Sequence, residues 1–242
     1  MKRFILTVSA MLAMAFACFA ANPASDFVYD MAPDGQGVMI TSYKGKSTTV
    51  VIPDTIEGLP VTQIGGNEDW ARRVFTHTYD SSKNTPYTIT VPKSVKILGN
   101  KAFTGVKGKI NIDLSNLTSI GKEAFAESDL SGTIKISKNL KFTGPDAFRK
   151  TKITAVIIEE GVTKLGSFGI FRDCPNLKSI TLPSSLAELR GRVFQLCPAL
   201  AEVIIPEGTK ITYINNWEFS CCSSLPLAAK AKIKATGYTD GF

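Results

Sequence analysis

The stretch LKSITLPSSLAELRGRVFQLCPALAEVIIP (177–206) decides the fold, because it contains one pattern more than once. LKSITLP (177–183) returns as LAEVIIP (200–206), 23 residues later, and Phe194 followed by Cys197 stands between the two copies. A fixed period of this length is typical of repeat proteins, in which each unit stacks on the next. We therefore expect a solenoid.

The same period extends over most of the 242-residue chain. Taking the second apolar residue of each short β-like run as a landmark gives spacings of 39, 21, 24, 22, 24 and 23 residues. The landmarks are Ile52, Val91, Ile112, Ile136, Ile158, Leu182 and Ile205. A column of phenylalanines keeps step with them: Phe103, Phe125, Phe148, Phe171, Phe194 and Phe219. Each coil then supplies about five large apolar side chains, which stacking joins into one interior.

Alternating apolar residues predict a short strand in each coil. Leu177, Ile180 and Leu182 place alternate side chains inward. Pro183 and Pro206 directly follow the landmarks, and a proline has no N–H to donate to a ladder, so it belongs where a strand ends. We expect the strands of successive coils to stack in parallel as one sheet, with turns and short helical pieces around the Gly-x-x-Ala-Phe motif on the other side.

These columns resemble a known family. The pattern LPxxLxxIGxxAFxxCxxLxxIxIP, clearest in IGKEAF (120–125) and FRDCPNLKSITLP (171–183), is similar to the BspA-like leucine-rich repeats of bacterial surface proteins. The resemblance covers about residues 37–226. It implies a β-dominated, right-handed leucine-rich-repeat solenoid of the α/β type, with about seven coils of about 23 residues, an N-terminal β cap and a C-terminal helical cap. It also implies adhesion to host extracellular-matrix proteins or to other bacterial cells.

The first 21 residues have the layout of a secretory signal peptide. Lys2 and Arg3 precede an apolar run over 4–17, which is too short for a comfortable membrane span. Two processing routes stay open. Cleavage after Ala20 gives a freely secreted protein, whereas AFAC (15–18) resembles a lipoprotein box in which Cys18 would carry a lipid. We expect an exported protein, extracellular or on the outer cell surface.

We divide the rest into an N-terminal cap (22–50), the repeats (51–223) and a C-terminal helical cap (224–242). Trp70 is expected to take the place of the repeat phenylalanine, followed by an insertion of about ten residues within about 71–87. Its polar tip DSSKNTP (80–86) predicts a protruding loop or hairpin. In the helical cap we expect Ser223 or Ser224 as N-cap, Pro226 in the first turn and an end near Gly237.

Charge and motifs argue against several classes of function. The net charge of +7 falls to +5 when Lys2 and Arg3 leave with the signal peptide, and no basic stripe is present, which argues against nucleic acid. His77 is the only histidine, and no HExxH motif or Cys pair has metal-ligand spacing. Glu159 and Glu160 give no sign of a carboxylate pair across a cleft. We predict no enzyme, no metal and no cofactor.

Three cysteines, Cys174, Cys197 and Cys222, share one column, three residues after the phenylalanine. Neighbouring coils about 4.8 Å apart would allow a disulfide in an exported protein. We favour buried free thiols, which behave as small hydrophobes. Cys221 is the odd cysteine and is the one expected to be exposed.

The outward side of the strands is the candidate ligand-binding surface. Lys135, Ile157, Thr181 and Ile204 lie between inward residues of successive strands and form one row. Two outward aliphatic residues suggest a contact surface, although β-branched residues also simply favour strands. Trp217 stands where other coils carry polar residues. We expect it to pack under the C-terminal cap, the alternative being an exposed contact residue.

We therefore expect an exported, monomeric, non-enzymatic binding or adhesion protein with a protein ligand. The alternative is a cell-surface lipoprotein that binds glycans as an accessory to polysaccharide use. That alternative requires a lipidated Cys18, which would be the only membrane attachment, and a carbohydrate site on aromatics of the insertion such as Tyr79 and Tyr87.

Overall fold

The computed structural model describes residues 20–68, 72–75, 86–239 and 241–242. The chain forms a β-solenoid of about seven turns with parallel stacked strands and one C-terminal helix, which confirms the predicted leucine-rich-repeat architecture. The strands are β1 (Phe27–Met31), β2 (Val38–Tyr43), β3 (Thr49–Val51), β4 (Thr55–Ile56), β5 (Leu59–Ile64), β6 (Tyr87–Thr90), β7 (Ile97–Leu98), β8 (Gly108–Asn111), β9 (Ser119–Ile120), β10 (Ser131–Ile136), β11 (Phe142–Thr143), β12 (Lys152–Ile158), β13 (Lys164–Leu165), β14 (Ser179–Thr181), β15 (Glu188–Leu189), β16 (Glu202–Ile204) and β17 (Tyr213–Ile214), and the helix is α1 (Leu227–Ala235).

The N-terminal part is an antiparallel β cap. A 3-10 helix at Ala24–Asp26 leads into β1, which pairs antiparallel with β2. β2 then pairs in parallel with β5, so the cap continues directly into the solenoid. β4 and β5 form a tight hairpin through Glu57 and Gly58, whose φ angles of 52° and 79° are those of a type I′ turn.

Each coil carries two strands, so the strands form two ladders. The longer strands pair in parallel as β3-β6-β8 and again as β10-β12-β14-β16. The two-residue strands extend β2 and β5 in parallel as β7-β9-β11 and resume as β13-β15-β17. Inward residues of neighbouring longer strands are aligned in register, for example Ile134, Val156, Ile180 and Val203, and all four are buried.

The prediction of one continuous sheet is wrong, because each ladder is interrupted once. Between β8 and β10 the chain instead forms a 3-10 helix at Leu114–Asn116, held by an Asp113 carboxylate that accepts the Ser115 N–H at 3.0 Å. Between β11 and β13 the Ser167 hydroxyl donates to the Thr143 carbonyl. One coil earlier, the equivalent donor is a backbone group, the Gly144 N–H, which donates to the Ile120 carbonyl. At this second break a side-chain donor thus takes the place of a backbone donor.

The phenylalanine column forms a continuous stack in the core. Successive rings lie 5.1–5.7 Å apart, centre to centre, and within 17° of parallel. The stack begins with Phe75, whose ring lies 5.4 Å from that of Phe103. The position we assigned to Trp70 is therefore filled by Phe75, and the assignment was wrong. Trp70 itself lies outside the described residues. Compared with a regular coil, this coil therefore has additional residues both before and after Phe75. The insertion begins before Phe75 and continues after it.

Left-handed backbone conformations flank the six stacked phenylalanines from Phe103 to Phe219. Two residues before the ring, φ is positive at Lys101, Glu123, Asp146, Gly169, Arg192 and Trp217. Two residues after it, φ is positive at Gly105, Glu127, Lys150, Asp173, Leu196 and Cys221. This alternation aims N–H groups at the next coil, as where Phe125 donates to Ala147 O at 2.8 Å. The coils are thus hydrogen-bonded on this side too, at the expense of conformations that L-residues disfavour.

The C-terminal helix α1 packs beside β16 and buries Ala229 and Ile233. Its N-cap is Pro226, with no side-chain cap, so the predicted Ser223 or Ser224 cap is wrong. Beyond the helix, Tyr238 packs edge-on against Phe219 with ring centres 5.6 Å apart. The segment after the helix therefore covers the last ring of the stack.

Candidate functional site

The predicted outward row is brought together by strand register. Lys135 of β10 is aligned with Ile157 of β12, Ile157 with Thr181 of β14, and Thr181 with Ile204 of β16. The same strands align a second row two residues earlier: Thr133, Ala155, Ser179 and Glu202. We call these eight residues the outer ladder face. Ile157 and Ile204 are 38% and 46% exposed.

The polar edge of the outer ladder face is internally paired. Lys135 Nζ lies 2.8 Å from the carboxylate of Glu159, and the Lys138 N–H donates to the same carboxylate at 3.2 Å. The hydrogen bond from Lys135 lowers the pKa of Glu159. Lys135 thus already has its counter-ion. From Ile157 to Ile204 the face consists of short and β-branched side chains, apart from the carboxylate of Glu202 on β16.

The carboxylate of Glu160, next to Glu159 in the chain, holds a turn in place. Glu160 accepts the backbone N–H of Ser184 and of Ser185, each at 3.0 Å, and the Ser184 hydroxyl at 2.8 Å. These bonds link consecutive coils. In the described part of the chain, no group of three or more His, Cys, Asp and Glu side chains could hold a metal ion, and no helix is long and apolar enough to cross a membrane.

Three of the residues singled out in the sequence, Cys18, His77 and Tyr79, lie outside the described residues. Tyr87 is described, and it is only 7% exposed, in register with Gly108 inside a ladder. A buried ring cannot stack on a glycan, so Tyr87 is not a carbohydrate contact.

The column of thiols is buried and unpaired, as favoured above. Each Sγ donates to the carbonyl of the preceding coil's phenylalanine: Cys174 to Phe148 at 3.2 Å, Cys197 to Phe171 at 3.3 Å and Cys222 to Phe194 at 3.2 Å. Burial raises the pKa of Cys174 and of Cys222 to about 11. These thiols therefore serve packing, and Cys221 is the exposed one.

We expected Trp217 to pack under the C-terminal cap, and this expectation is wrong: the side chain is 56% exposed. It forms one wall of a groove of about 440 Å³ on the side of the short strands and the phenylalanine turns. The groove is lined by Phe168, Gly191, Arg192, Ile214, Asn215, Asn216 and Trp217. We call these seven residues the aromatic groove.

Phe168, the opposite wall, is 42% exposed and contacts two cations. The guanidinium of Arg172 lies 5.3 Å from the ring centre and that of Arg192 lies 5.6 Å from it. Arg172 is paired with Asp146 at 3.2 Å. Arg192, in contrast, forms no ion pair with any carboxylate of the described residues. The groove therefore contains one guanidinium that no carboxylate of the described residues contacts directly, although its charge and that of the Glu218 carboxylate attract each other at longer range.

Our sequence reasoning missed Phe168 and its groove, although a signal was present. The step from Leu165 to Phe171 is six residues, whereas Ile120 to Phe125 and Leu189 to Phe194 are five. The additional residue lies in the Gly166-to-Phe168 turn, at the second ladder break. A local change of repeat length marks a place where the backbone leaves the regular coil, and here it carries an aromatic side chain outward.

The comparisons with known proteins agree with this architecture. A crystal structure of a leucine-rich repeat protein from T. pallidum is 25% identical, with a TM-score of 0.58 over 92% of this chain and 99% of that one. The structure of the pneumococcal vaccine antigen PcpA is 23% identical, with a TM-score of 0.57 over 79% of this chain. The likeness covers 51% of that antigen's chain and concerns the fold alone. No curated protein sequence matches.

The repeat itself is matched at family level. The model of the family described as "BspA type Leucine rich repeat region" matches residues 74–169 and 143–229, with six copies of the repeat. The two ranges together include more than half of the chain. This match, the stacked phenylalanines and the parallel ladders all follow from one periodic sequence. The chain belongs to the BspA-type leucine-rich repeat family.

Proposed function

We propose that the protein is exported and acts as a non-enzymatic binding protein in adhesion, with the outer ladder face as its contact surface. The ligand in this proposal is a protein, either of the host extracellular matrix or of another bacterial surface. The observation that carries the proposal is the register of Lys135, Ile157, Thr181 and Ile204 across four neighbouring strands.

The outer ladder face has a regular arrangement of residues and exposes apolar side chains. Parallel strands present one residue per coil in a straight row, so a partner meets a regular, rigid surface that needs no ordering on binding. Thr181, Ser179 and Ala155 have short side chains, which leave Ile157 and Ile204 accessible from above. Exposed aliphatic side chains surrounded by polar groups are typical of protein contact surfaces.

The chemistry of the described residues supports binding rather than catalysis. The carboxylates with lowered pKa values near the face, Glu159 and Glu160, are shifted by hydrogen bonds to Lys135 and Ser184 respectively. Those bonds are structural links between coils, and they leave no poised acid or base facing a cleft. Repeat scaffolds of this family are typically non-enzymatic.

The test uses immobilised extracellular-matrix proteins and whole co-resident bacteria as probes in a surface-binding assay with the exported protein. We expect the double substitution Ile157→Glu with Ile204→Glu to weaken binding by at least about tenfold, since both carboxylates would be desolvated at the contact. The matched control is Thr90→Glu, an outward residue of β6 in the other longer-strand ladder, which should bind like the unsubstituted protein.

Circular dichroism should show the same unfolding midpoint for all three proteins, because the changed side chains point outward. Binding that survives the double substitution would overturn the outer ladder face as the contact surface. Loss of binding in the Thr90→Glu control as well would show that the contact is not specific to this face. For the anchoring alternative, radiolabelled palmitate should be incorporated by the unsubstituted protein and not by Cys18→Ser if the protein is a lipoprotein.

A further inference from the structure

We propose that the aromatic groove is a second binding site, independent of the outer ladder face, for an acidic glycan: a pyranose ring that carries a carboxylate. The groove combines two exposed aromatic walls, two asparagine amides and a guanidinium that no carboxylate of the described residues contacts directly. Each of these groups contributes one element of recognition.

Independent departures from the repeat meet at the groove. Phe168 lies in the turn that is one residue longer than in neighbouring coils. Trp217 occupies a column held in other coils by Lys101, Glu123 or Asp146. The coil between them has Gly191, where a Cβ would lie 2.9 Å from Ser167 O and 3.0 Å from Phe168 Cα. Gly191 therefore keeps the floor of the groove clear beside the Phe168 wall.

Trp217 places a large side chain at a position of unfavourable backbone conformation. Its φ of +76° is disfavoured for such a residue. The equivalent residues of the five preceding coils also have a positive φ, so the repeat sets this conformation and the departure at Trp217 is the bulk of its side chain. The strained conformation gains no burial in return, since the side chain is more than half exposed. This combination points to a role in contact with a ligand.

The lining of the groove indicates the kind of ligand. Two of its backbone N–H groups are already used: Gly169 N–H donates to Gly191 O at 2.6 Å and Asn215 N–H to Leu189 O at 3.1 Å. An extended peptide that binds by strand addition would use backbone groups, whereas this groove is lined mainly by polar and aromatic side chains. Its Asn, Arg and aromatic side chains suit a ligand that presents hydroxyl groups and an apolar ring face.

The groove can take a sugar ring. Phe168 and Trp217 belong to coils two stacking steps of 5.7 Å apart, so a pyranose ring that packs on the exposed Trp217 would lie in the groove beside Arg192, whose guanidinium is over the Phe168 ring. The aromatic faces carry partial negative charge and attract the C–H groups of a pyranose face. The amides of Asn215 and Asn216 can donate to and accept from hydroxyl groups. The volume of about 440 Å³ lies within the range of small-ligand sites.

The guanidinium of Arg192 favours an acidic sugar over a neutral one. Arg192 presents a planar donor fork that matches a carboxylate in bidentate fashion. Its position over the Phe168 ring fixes the direction of the guanidinium without neutralising it. The neighbouring Arg172 is already paired with Asp146, so Arg192 is the residue that we expect to read the carboxylate.

The test uses defined oligosaccharides with the exported protein. Trp70 and Trp217 are its two tryptophans, so in a Trp70→Phe background the emission reports on Trp217. The probes are a hexuronic-acid oligosaccharide and its methyl ester, which keeps the ring and loses the charge. We expect the acid at millimolar concentration to change the emission, and the ester to bind about tenfold more weakly.

Substitutions separate the parts of the site, with calorimetric titration of the acid and ester as the readout. Trp217→Gly should abolish binding of both sugars while leaving the unfolding midpoint unchanged or higher, because glycine accepts a positive φ. Arg192→Gln should bind the acid and the ester equally. Glu123→Gly, the same change in the same column of another coil, should bind like the unsubstituted protein. Ile157→Glu should do so too, which keeps this site separate from the proposed adhesion surface.

Three outcomes would overturn the proposal. The first is no emission change with either oligosaccharide at millimolar concentration. The second is binding that survives Trp217→Gly. The third is a response to an acidic peptide, such as a glutamate oligomer, but not to the uronic-acid oligosaccharide, which would assign the groove to protein ligands.

Discussion

The carboxylate of Glu218 accepts the backbone N–H of Val193 at 2.7 Å and that of Arg192 at 3.0 Å. In four preceding coils the N–H equivalent to that of Arg192 donates to a backbone carbonyl of the next coil: Lys101 to Lys122, Glu123 to Pro145, Asp146 to Phe168 and Gly169 to Gly191. A buried carboxylate thus accepts the N–H that a backbone carbonyl accepts in those coils. Glu218 belongs to the coil that carries Trp217.

Glu218→Ala should destabilise the protein, because it leaves the buried N–H of Val193 and the partly buried N–H of Arg192 without acceptors. Each donor that stays dry costs about 1–3 kcal/mol of the free energy of unfolding. Urea titration followed by circular dichroism gives this quantity. The exposed Glu207→Ala is the matched control, with an expected change of at most about 0.5 kcal/mol. A Glu218→Ala protein as stable as its parent would mean that water reaches these N–H groups.

Glu218 should also give a pH dependence of a definite sign. Burial raises the pKa of this carboxyl above its ordinary value, despite the N–H donors that favour the charged form. The folded state then binds the proton more tightly than the unfolded state. Its contribution to stability is therefore fully present below the ordinary pKa of 4.5 and falls as the pH rises through the raised one.

The measurement is the difference in unfolding free energy between the parent and Glu218→Gln, taken from weakly acidic to neutral pH. As the pH rises, the unfolding free energy of the parent should fall relative to that of Glu218→Gln, because glutamine does not titrate. A difference that moves in the parent's favour would place the pKa below its ordinary value.

Phe194→Ala should cost about 3–5 kcal/mol, the usual loss for a large ring removed from a packed core. Phe194 is fully buried, and its ring lies 5.7 Å from those of both Phe171 and Phe219. Phe142→Ala is the control, because Phe142 is 53% exposed. Denaturant titration compares the two. A loss below about 1 kcal/mol for Phe194→Ala would contradict its place in the stack.

Leu196→Gly should stabilise the protein by up to about 1 kcal/mol, although glycine usually weakens a chain. Leu196 has φ +59° and is 38% exposed, so little packing is lost when the left-handed strain is relieved. Leu196→Ala is the control, since alanine keeps the strain. Thermal unfolding should place the glycine variant above the alanine variant. The reverse order would show that the side chain contributes packing that outweighs the strain.

The thiols should differ in reactivity. Cys174, Cys197 and Cys222 are fully buried and burial raises the pKa of each thiol, whereas Cys221 is exposed. A thiol reagent at mildly alkaline pH should label Cys221 quickly and the other three only after denaturation, because the thiolate is the reactive form. Peptide mass mapping identifies the sites. Rapid labelling of Cys197 in the folded protein would contradict its burial.

The period in the sequence determined the repeated part of this protein. Alternation within each strand is a local property, so the inward burial of Ile180 and Val203 and the outward position of Ile157 and Ile204 follow from spacing alone. The phenylalanine column and the buried thiols follow in the same way. Each needs only the rule that equivalent residues of stacked coils lie above one another.

Only the tertiary structure decided what happens where the period changes. Phe75 rather than Trp70 enters the stack, since the ring that fills the column depends on where the inserted chain returns to the core. Pro226 rather than a serine caps α1. Phe168 and Trp217 face one groove because an extra residue turns one side chain outward while two coil steps separate the walls. Contacts between coils depend on backbone path and stacking distance, and a spacing rule for single residues contains neither.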